Sequence, residues 1–596
     1  MKNAKLFLVF LGLSLILFSC KKKNKINSEI LVSEIKEHLE FLASDSLKGR
    51  YPGTKEDKIA AEYIKVQFQR YGLKLLADNG FQYFDVVTDV NTGDSNYFIV
   101  KENEAVLDSN FIPYSFSKNT TVDAQLTFAG FGFDIKNDSF EWNDFKDIDV
   151  NGKWVLIFKG IPLKEKNNYF EKFADDRSKV LNAKDKNAVG VIFVSGVNFD
   201  KNDELPELYY DQTQGCAGIP VFHITRALAN IIIEESDKSI EEIESEIVEN
   251  QKPNFFETQI SIKARSDVNL SKVTTQNVIA IVESTNPEFK DEYIVVGAHY
   301  DHLGMGGKGT NSRKPDTIAV HNGADDNASG TAGVIELAGK IASMKDSIKR
   351  SIIFMTFGAE EMGLLGSKYF INNPVVDIKK IKAMLNFDMI GRFDTLNRSL
   401  MIGGSGTSIE SDSMIKLFAD NYDLNLKLSP EGYGPSDHAS FYTKDIPVFF
   451  ISSGAHTDYH TPADDIDKIN FKGQKYILDY SSELLLGLIN MEKDLTFKEA
   501  GPKGHSKHGY KYKITFGIMP DFANTSNNGL GVDAVSPGGA AANGGIKKGD
   551  RIIAIDGKEV KNIYDYMNRL KKLEEGQTVI VDVIRDEKKL VLLLQL

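Results

Sequence analysis

The stretch Tyr293-Ile294-Val295-Val296-Gly297-Ala298-His299-Tyr300-Asp301-His302 sets the architecture of the chain around it. A short apolar run passes into a turn of small and polar residues, and the pattern returns at Ile352 to Thr356, Ala383 to Phe387 and Pro447 to Ile451. Helical periodicity, as in Thr331 to Ala342, fills the intervals. Short apolar runs alternating with helices read as buried strands, so the segment from Asn277 to about Glu492 is expected to form a doubly wound α/β sheet. In such sheets ligands gather beyond the carboxyl ends of the strands. Each of the four runs is followed closely by residues of metal-ligand or acid-base type.

After the first run, His299 is followed two residues on by Asp301, a carboxylate able to receive its second ring proton. Alone, that spacing is equally that of a polar surface loop. Gly323-Ala324-Asp325-Asp326-Asn327-Ala328-Ser329-Gly330 places carboxylates in a glycine-flanked loop before a helix, where an acidic N-cap is the plain alternative for Asp326. The second run ends in Glu360-Glu361, adjacent carboxylates that cannot point the same way along extended chain; one can bind metal while its neighbour handles protons. Asp388 closes the third apolar strand and is costly there without a partner. The fourth is followed by Asp458-Tyr459-His460-Thr461-Pro462. Each piece has a reading as a cap or turn, but their recurrence at successive strand ends does not.

Outside this segment the texture changes. The chain has 596 residues, 42% hydrophobic and 26% charged, enough for two to four domains of about 100 to 200 residues. The net charge of -13 gives no attraction to polyanions, and nucleic acid is not an expected partner. Lys2 and Lys5 precede an apolar run, Leu6 to Phe18, shorter than the roughly 20 residues of a spanning helix, which reads as a processing signal. Residues 21–27 form a polar tether. From Ser28 helical spacing appears, with Ala60, Ile64, Phe68 and Tyr71 on one face before Gly72, and residues 28–105 are assigned to the catalytic domain. Residues 106–262 hold short β-rich runs and no catalytic spacing. Residues 496–509 are a linker, and 510–596 a separate module.

The motif set from Tyr293 to Pro462 resembles the M28 family of co-catalytic zinc aminopeptidases and their carboxypeptidase relatives. That resemblance implies two Zn²⁺ per chain, one held by His299 and Asp388, the other by Glu361 and His460, with Asp326 bridging both and the Asp326-Asn327 peptide cis. It further implies that Glu360 is the general base acting on a metal-bridged water, that Asp301 orients His299, and that Tyr459 steadies the tetrahedral intermediate. Ser436-Asp437-His438 also fits the family, with His438 in a supporting role, whereas His302, His321 and His456 are assigned no ligand role. Leu39 to Thr54 resembles the family's opening helix and loop.

Further resemblances complete the multidomain plan. Ala129-Gly130-Phe131-Gly132, Gly152-Lys153-Trp154-Val155 and Ala188 to Phe193 resemble the protease-associated (PA) domain inserted into some secreted peptidases. Phe516-Gly517-Ile518, Val535 to Ala541 and Lys548 to Gly557 resemble a bacterial PDZ domain, whose amides at Phe516, Gly517 and Ile518 are then expected to receive a peptide carboxylate. On that reading the module docks partners or substrate ends without building the active site. Leu17-Phe18-Ser19-Cys20, closing the lipoprotein signal region 1–20, resembles a bacterial lipobox, implying cleavage just before a lipidated Cys20 that begins the mature chain, and an envelope location, outer membrane or facing the periplasm. Cys216 is then the only remaining thiol, so no intrachain disulfide forms. The expected activity is that of a zinc exopeptidase acting on peptides, an aminopeptidase first. A carboxypeptidase of the same superfamily and a non-catalytic peptide-binding lipoprotein are the alternatives.

Overall fold

The computed structural model describes residues 29–137, 140–163, 168–212, 215–501, 514–520, 527–535 and 538–596. Cys20 and its leader lie outside the described residues.

The four apolar runs form strands Tyr293–His299, Ser351–Phe357, Ile381–Phe387 and Val448–Ser452, adjacent and mutually parallel at the centre of a nine-stranded mixed sheet. Their continuous apolarity follows from burial on both faces. Val296, Phe354 and Leu385 pack on one side, with helices Gly330–Ser343 and Phe471–Asn490. Their chain neighbours Val295, Ile353 and Met384 pack on the other, against Phe370 and Phe441 of the short helices Leu365–Asn372 and His438–Tyr442. The N-terminal helices Val32–Leu42 and Lys55–Arg70 join the first of these cores, so this helical segment belongs with the sheet.

Strands Phe81–Thr92 and Val268–Val282 pair as a long antiparallel ribbon that leads out of this sheet and back. Between them sits a second, eight-stranded sheet. It starts at Tyr97–Val100, ahead of Val106, and closes with Phe255–Ser266. Its centre is Trp154–Phe158 flanked by Gly190–Val194 and Thr120–Ala129. The C-terminal module is a six-stranded sheet around Phe516, Ile552, Val581 and Leu594, with helix Ile563–Lys571 along it. Strand Ile518–Pro520 lies at its edge, paired only with Leu530–Val535 among the described residues. No described helix is long and apolar enough to cross a membrane.

Candidate metal centre

Strand ends, together with the loop before helix Gly330–Ser343, bring the five expected ligand residues together. In the register of the sheet His299 stands opposite Phe357, so the turn carrying Glu360 and Glu361 starts beside the first histidine. Asp388 follows Ile381–Phe387 directly, on the other side. Asp326 bridges them: His299 Nε2 lies 3.3 Å from its Oδ1 and His460 Nε2 lies 3.2 Å from its Oδ2. His299 Nε2 is also 3.7 Å from Asp388 and 3.8 Å from Glu360, and His460 Nε2 is 3.0 Å from Glu361. All these side chains are buried.

Local backbone shape aims them. Ala359, Met389 and His460 hold left-handed φ of 55°, 61° and 57°, a conformation that non-glycine residues adopt at a cost and that recurs at functional turns. The Asp326-Asn327 peptide is cis. Asp464 Oδ2 accepts the main-chain N–H of both Asp325 and Asp326 at 3.0 Å, and Arg392 Nη2 lies 3.2 Å from Oδ1 of the same carboxylate. Asn327 donates to Phe387 O and accepts from Gly330 and Met389, tying this loop to the strand that delivers Asp388. Gly330 is needed there, because a Cβ would fall 2.4 Å from Phe387 O.

Asp301 serves two neighbours. Its main-chain carbonyl, at 3.2 Å, takes the hydrogen bond of His299 Nδ1, while its carboxylate is 3.6 Å from that nitrogen. The carboxylate instead accepts the amides of Glu360 and Glu361 at 3.0 and 3.3 Å. The Tyr459 ring stacks on His460 with centroids 3.8 Å apart, and the Arg313 guanidinium covers Tyr459.

Some contributors were not assigned roles from sequence. His302 Nδ1 hydrogen-bonds Glu361 Oε1 at 2.7 Å, leaving Oε2 toward His460. The spacing Asp301-His302 was visible, but nothing in it says that a ring one residue further on meets Glu361. Arg50 is fully buried and donates to the carbonyls of Leu42, Tyr300, Asn322 and Gly323, bracing the loops that carry His299 and Asp326. His438 stacks on Phe450 in the core, and burial pushes its imidazole down to about 3, a supporting role. His321 bonds Ser312 and Ala319, and His456 lies 3.2 Å from Asp325.

The electrostatics are those of crowded carboxylates. Burial opposes charge on His299, yet Glu360, Asp301, Asp326 and Asp388 hold its imidazole well above the ordinary range. Burial raises Glu360 well above the carboxylate range, reinforced by Glu361, Asp437 and Asp388 against His299. Burial also works against ionised Asp326, but His299 and His460 keep it well below its usual value. Two groups of three buried donors result: His299, Glu360 and Asp388, and His302, Asp326 and Glu361. Buried Asp326 Oδ2 and His460 Nε2, 3.2 Å apart, make no well-formed hydrogen bond, which leaves both atoms available to a cation between them. Imidazole and carboxylate donors in this arrangement fit a pair of divalent cations.

These features define a buried, two-centre metal site at the carboxyl end of a doubly wound sheet. The model of peptidase family M28 matches residues 277–485, that of the PA domain 122–232, and that of the PDZ domain 517–596. The chain therefore carries an M28 peptidase domain with an inserted PA domain and a C-terminal PDZ domain. It is 36% identical over 141 residues to leupeptin-inactivating enzyme 1 of Streptomyces exfoliatus, covering 24% of this chain and 31% of that one. Against aminopeptidase YwaD of Bacillus subtilis it is 26% identical over 333 residues, covering 54% and 59%. The matches span less than two thirds of these relatives. Among solved structures, a zinc aminopeptidase from Bacillus subtilis aligns with 79% of this chain and 99% of its own, at 21% identity and a TM-score of 0.47.

At the PDZ domain, the Phe516 side chain is buried in the core and its carbonyl accepts from Ala541 at 2.8 Å. Gly517, with φ 77°, donates its amide to Thr515 Oγ1 at 3.1 Å, and Ile518 begins the edge strand.

Proposed function

We propose that this chain is a zinc-dependent exopeptidase that releases residues from the amino end of peptides. The observation that carries this is the sharing of one carboxylate: Asp326 offers one oxygen to His299 and the other to His460, as a residue serving two cations must. His299 and Asp388 would complete one centre, Glu361 and His460 the other, with His302 holding the second oxygen of Glu361. Two zinc ions there supply Lewis acidity, lowering the pKa of a water and polarising the scissile carbonyl.

The protein's own groups handle the protons. Glu360, pointed by the clamp of Asp301 on its amide, takes the proton of the attacking water and returns it to the leaving amine, a role worth roughly 10² to 10⁴-fold. Tyr459, stacked on His460, steadies the oxyanion of the tetrahedral intermediate.

The amino end is favoured by the charge of the adjoining cavity. Its one lysine or arginine among the described lining residues, Lys368, donates to Gly363 O at 2.8 Å. That suits an ammonium group better than a terminal carboxylate. The names of the relatives, aminopeptidase YwaD and the leucine aminopeptidases of Arthroderma otae among them, agree. Lipid anchoring through Cys20 at the cell envelope, and a peptide carboxylate at Phe516, Gly517 and Ile518, are proposed on the sequence alone.

The test is a digest of peptides blocked at one end or the other, with and without chelator, read by mass spectrometry. Loss of residues from amino-free peptides only, abolished by chelator, is expected. Trimming of amino-blocked peptides instead would make the enzyme a carboxypeptidase.

A further inference from the structure

Beside the metal centre lies a cavity of about 570 Å³, within the roughly 300 to 1,000 Å³ of small-ligand pockets. Glu360 and His460 open onto it, so it is continuous with the proposed chemistry. Its remaining walls come from three modules. The peptidase turn gives Met362 and Leu365, the PA domain gives Tyr210, and the PDZ domain gives Leu530, Ile563 and Met567.

The PDZ domain is held in that position by specific contacts at both ends of its helix Ile563–Lys571. At the carboxyl end, Arg569 pairs through both terminal nitrogens with Asp185 of the PA domain, and Lys571 reaches Asp175 at 3.0 Å. At the amino end, the Asn562 amide donates to Cys216 O at 3.3 Å, and Arg177 is sandwiched 4.2 Å from each of the Phe116 and Tyr564 ring centroids. On the peptidase side Lys548 donates to Thr443 O at 2.6 Å. Ile563 and Met567 are only partly buried by the PDZ core, and both also line the cavity. This differs from the sequence expectation that the module takes no part in building the active site.

Resting on the exopeptidase reading above, we infer that the docked PDZ domain is one wall of the substrate pocket. An apolar side chain of a short peptide is held between Met362 and Leu365 on one side and Leu530, Ile563 and Met567 on the other. With that wall in place the pocket admits short peptides and impedes long ones.

The test uses the full-length, zinc-loaded enzyme. kcat and KM are measured for leucyl and aspartyl chromogenic amides and for leucine-headed peptides of increasing length, in wild type, Met567→Asp, Met567→Leu and Arg569→Ala. Met567→Asp is expected to raise KM for the leucyl amide about tenfold or more, the scale of an apolar pocket contact, with kcat nearly unchanged and the preference for leucyl over aspartyl reduced. Met567→Leu should restore the wild-type KM, which separates a pocket contact from a folding defect. Arg569→Ala, which removes the pair with Asp185 and loosens the carboxyl end of the helix, should raise kcat/KM for the longest peptides relative to the shortest. Wild-type KM in Met567→Asp together with an unchanged length profile in Arg569→Ala overturns the inference while leaving the exopeptidase reading intact. A wild type with no chelator-sensitive release of terminal residues overturns both.

Discussion

Asp301 accepts the main-chain N–H of Glu360 at 3.0 Å, so the residue two positions after the first histidine also fixes the turn that presents the proposed base. The same carboxylate holds the amide of Glu361. One buried side chain thus sets the geometry of the proton shuttle and of a proposed ligand. Asp301→Asn keeps the shape but weakens both acceptors. It is expected to lower kcat roughly 10-fold or more, in the range of 10 to 100-fold typical of groups that orient a metal site. Steady-state kinetics beside zinc analysis checks this, and unchanged kcat would remove Asp301 from the positioning role.

Asp464 was not among the residues marked in the sequence, yet its Oδ2 holds the amides of Asp325 and Asp326. Asp464→Ala should let the Asp326 loop relax and weaken metal binding about 10 to 100-fold by the same reasoning. Competition with a zinc-binding dye gives the affinity. A wild-type affinity would mean that the ties through Asn327 and Arg50 suffice to hold the loop.

The parts of the site that lay in one strand end each were legible, because burial of the strand on both faces makes a carboxylate or imidazole at its end conspicuous. His299, Glu361 and Asp388 follow strand ends closely, Asp326 sits in the loop before helix Gly330–Ser343 and His460 lies further beyond its strand, and all five meet in the structure. The supports were hidden because their partners are distant in sequence. Arg50 reaches Tyr300 across 250 positions and Gly323 across 273, and His302 meets Glu361 across 59. The packing of the PDZ helix on the PA domain was hidden for the same reason, since neither Arg569 nor Asp185 carries any local sign of the other.

Arg50 offers a stability test. It is fully buried, and its guanidinium satisfies the carbonyls of Leu42, Tyr300, Asn322 and Gly323. Arg50→Met fills similar volume but leaves these acceptors in the interior without donors, at about 1 to 3 kcal/mol for a buried group so orphaned, and more when several are. Denaturant unfolding followed by the signal of the peptidase domain should show a loss of at least that size. A change below about 0.5 kcal/mol, the scale of an ordinary surface substitution, would show that water replaces the guanidinium.

In the PA domain, His223 is buried beside Ser195, and burial, helped by Lys159 and opposed by Asp200, pushes its imidazole down to about 3. The unfolded chain, with an ordinary pKa near 6.5, binds more protons than the native one between those values. Stability from His223 is therefore complete above about pH 6.5 and is lost as pH falls toward 3. The slope is about 1.4 kcal/mol per pH unit at most. His223→Gln should flatten the pH dependence of PA-domain unfolding in this window. If wild type and variant lose stability in parallel between pH 6 and 4, His223 is not the group responsible.

The last test separates Glu360 from Glu361, neighbours whose proposed roles differ. Glu361 lies 3.0 Å from His460 Nε2 and is held by His302, the surroundings of a metal ligand. Glu360 lies 3.8 Å from His299 Nε2, a looser approach than that of Glu361 to His460, and both line the cavity where a substrate would sit. Both belong to a group of potential donors, so geometry alone allows either to bind metal. Glu360→Gln keeps the shape and removes the proton acceptor. It should retain about two zinc ions per chain, the stoichiometry of a two-metal site, while kcat falls roughly 10² to 10⁴-fold as for loss of a general base and KM moves little. Glu361→Gln should instead shed zinc and regain part of its activity when metal is added in excess. Metal analysis and steady-state kinetics on the two proteins decide between the assignments: zinc loss in Glu360→Gln would exchange the roles, and wild-type kcat in that variant would mean that another group takes the proton.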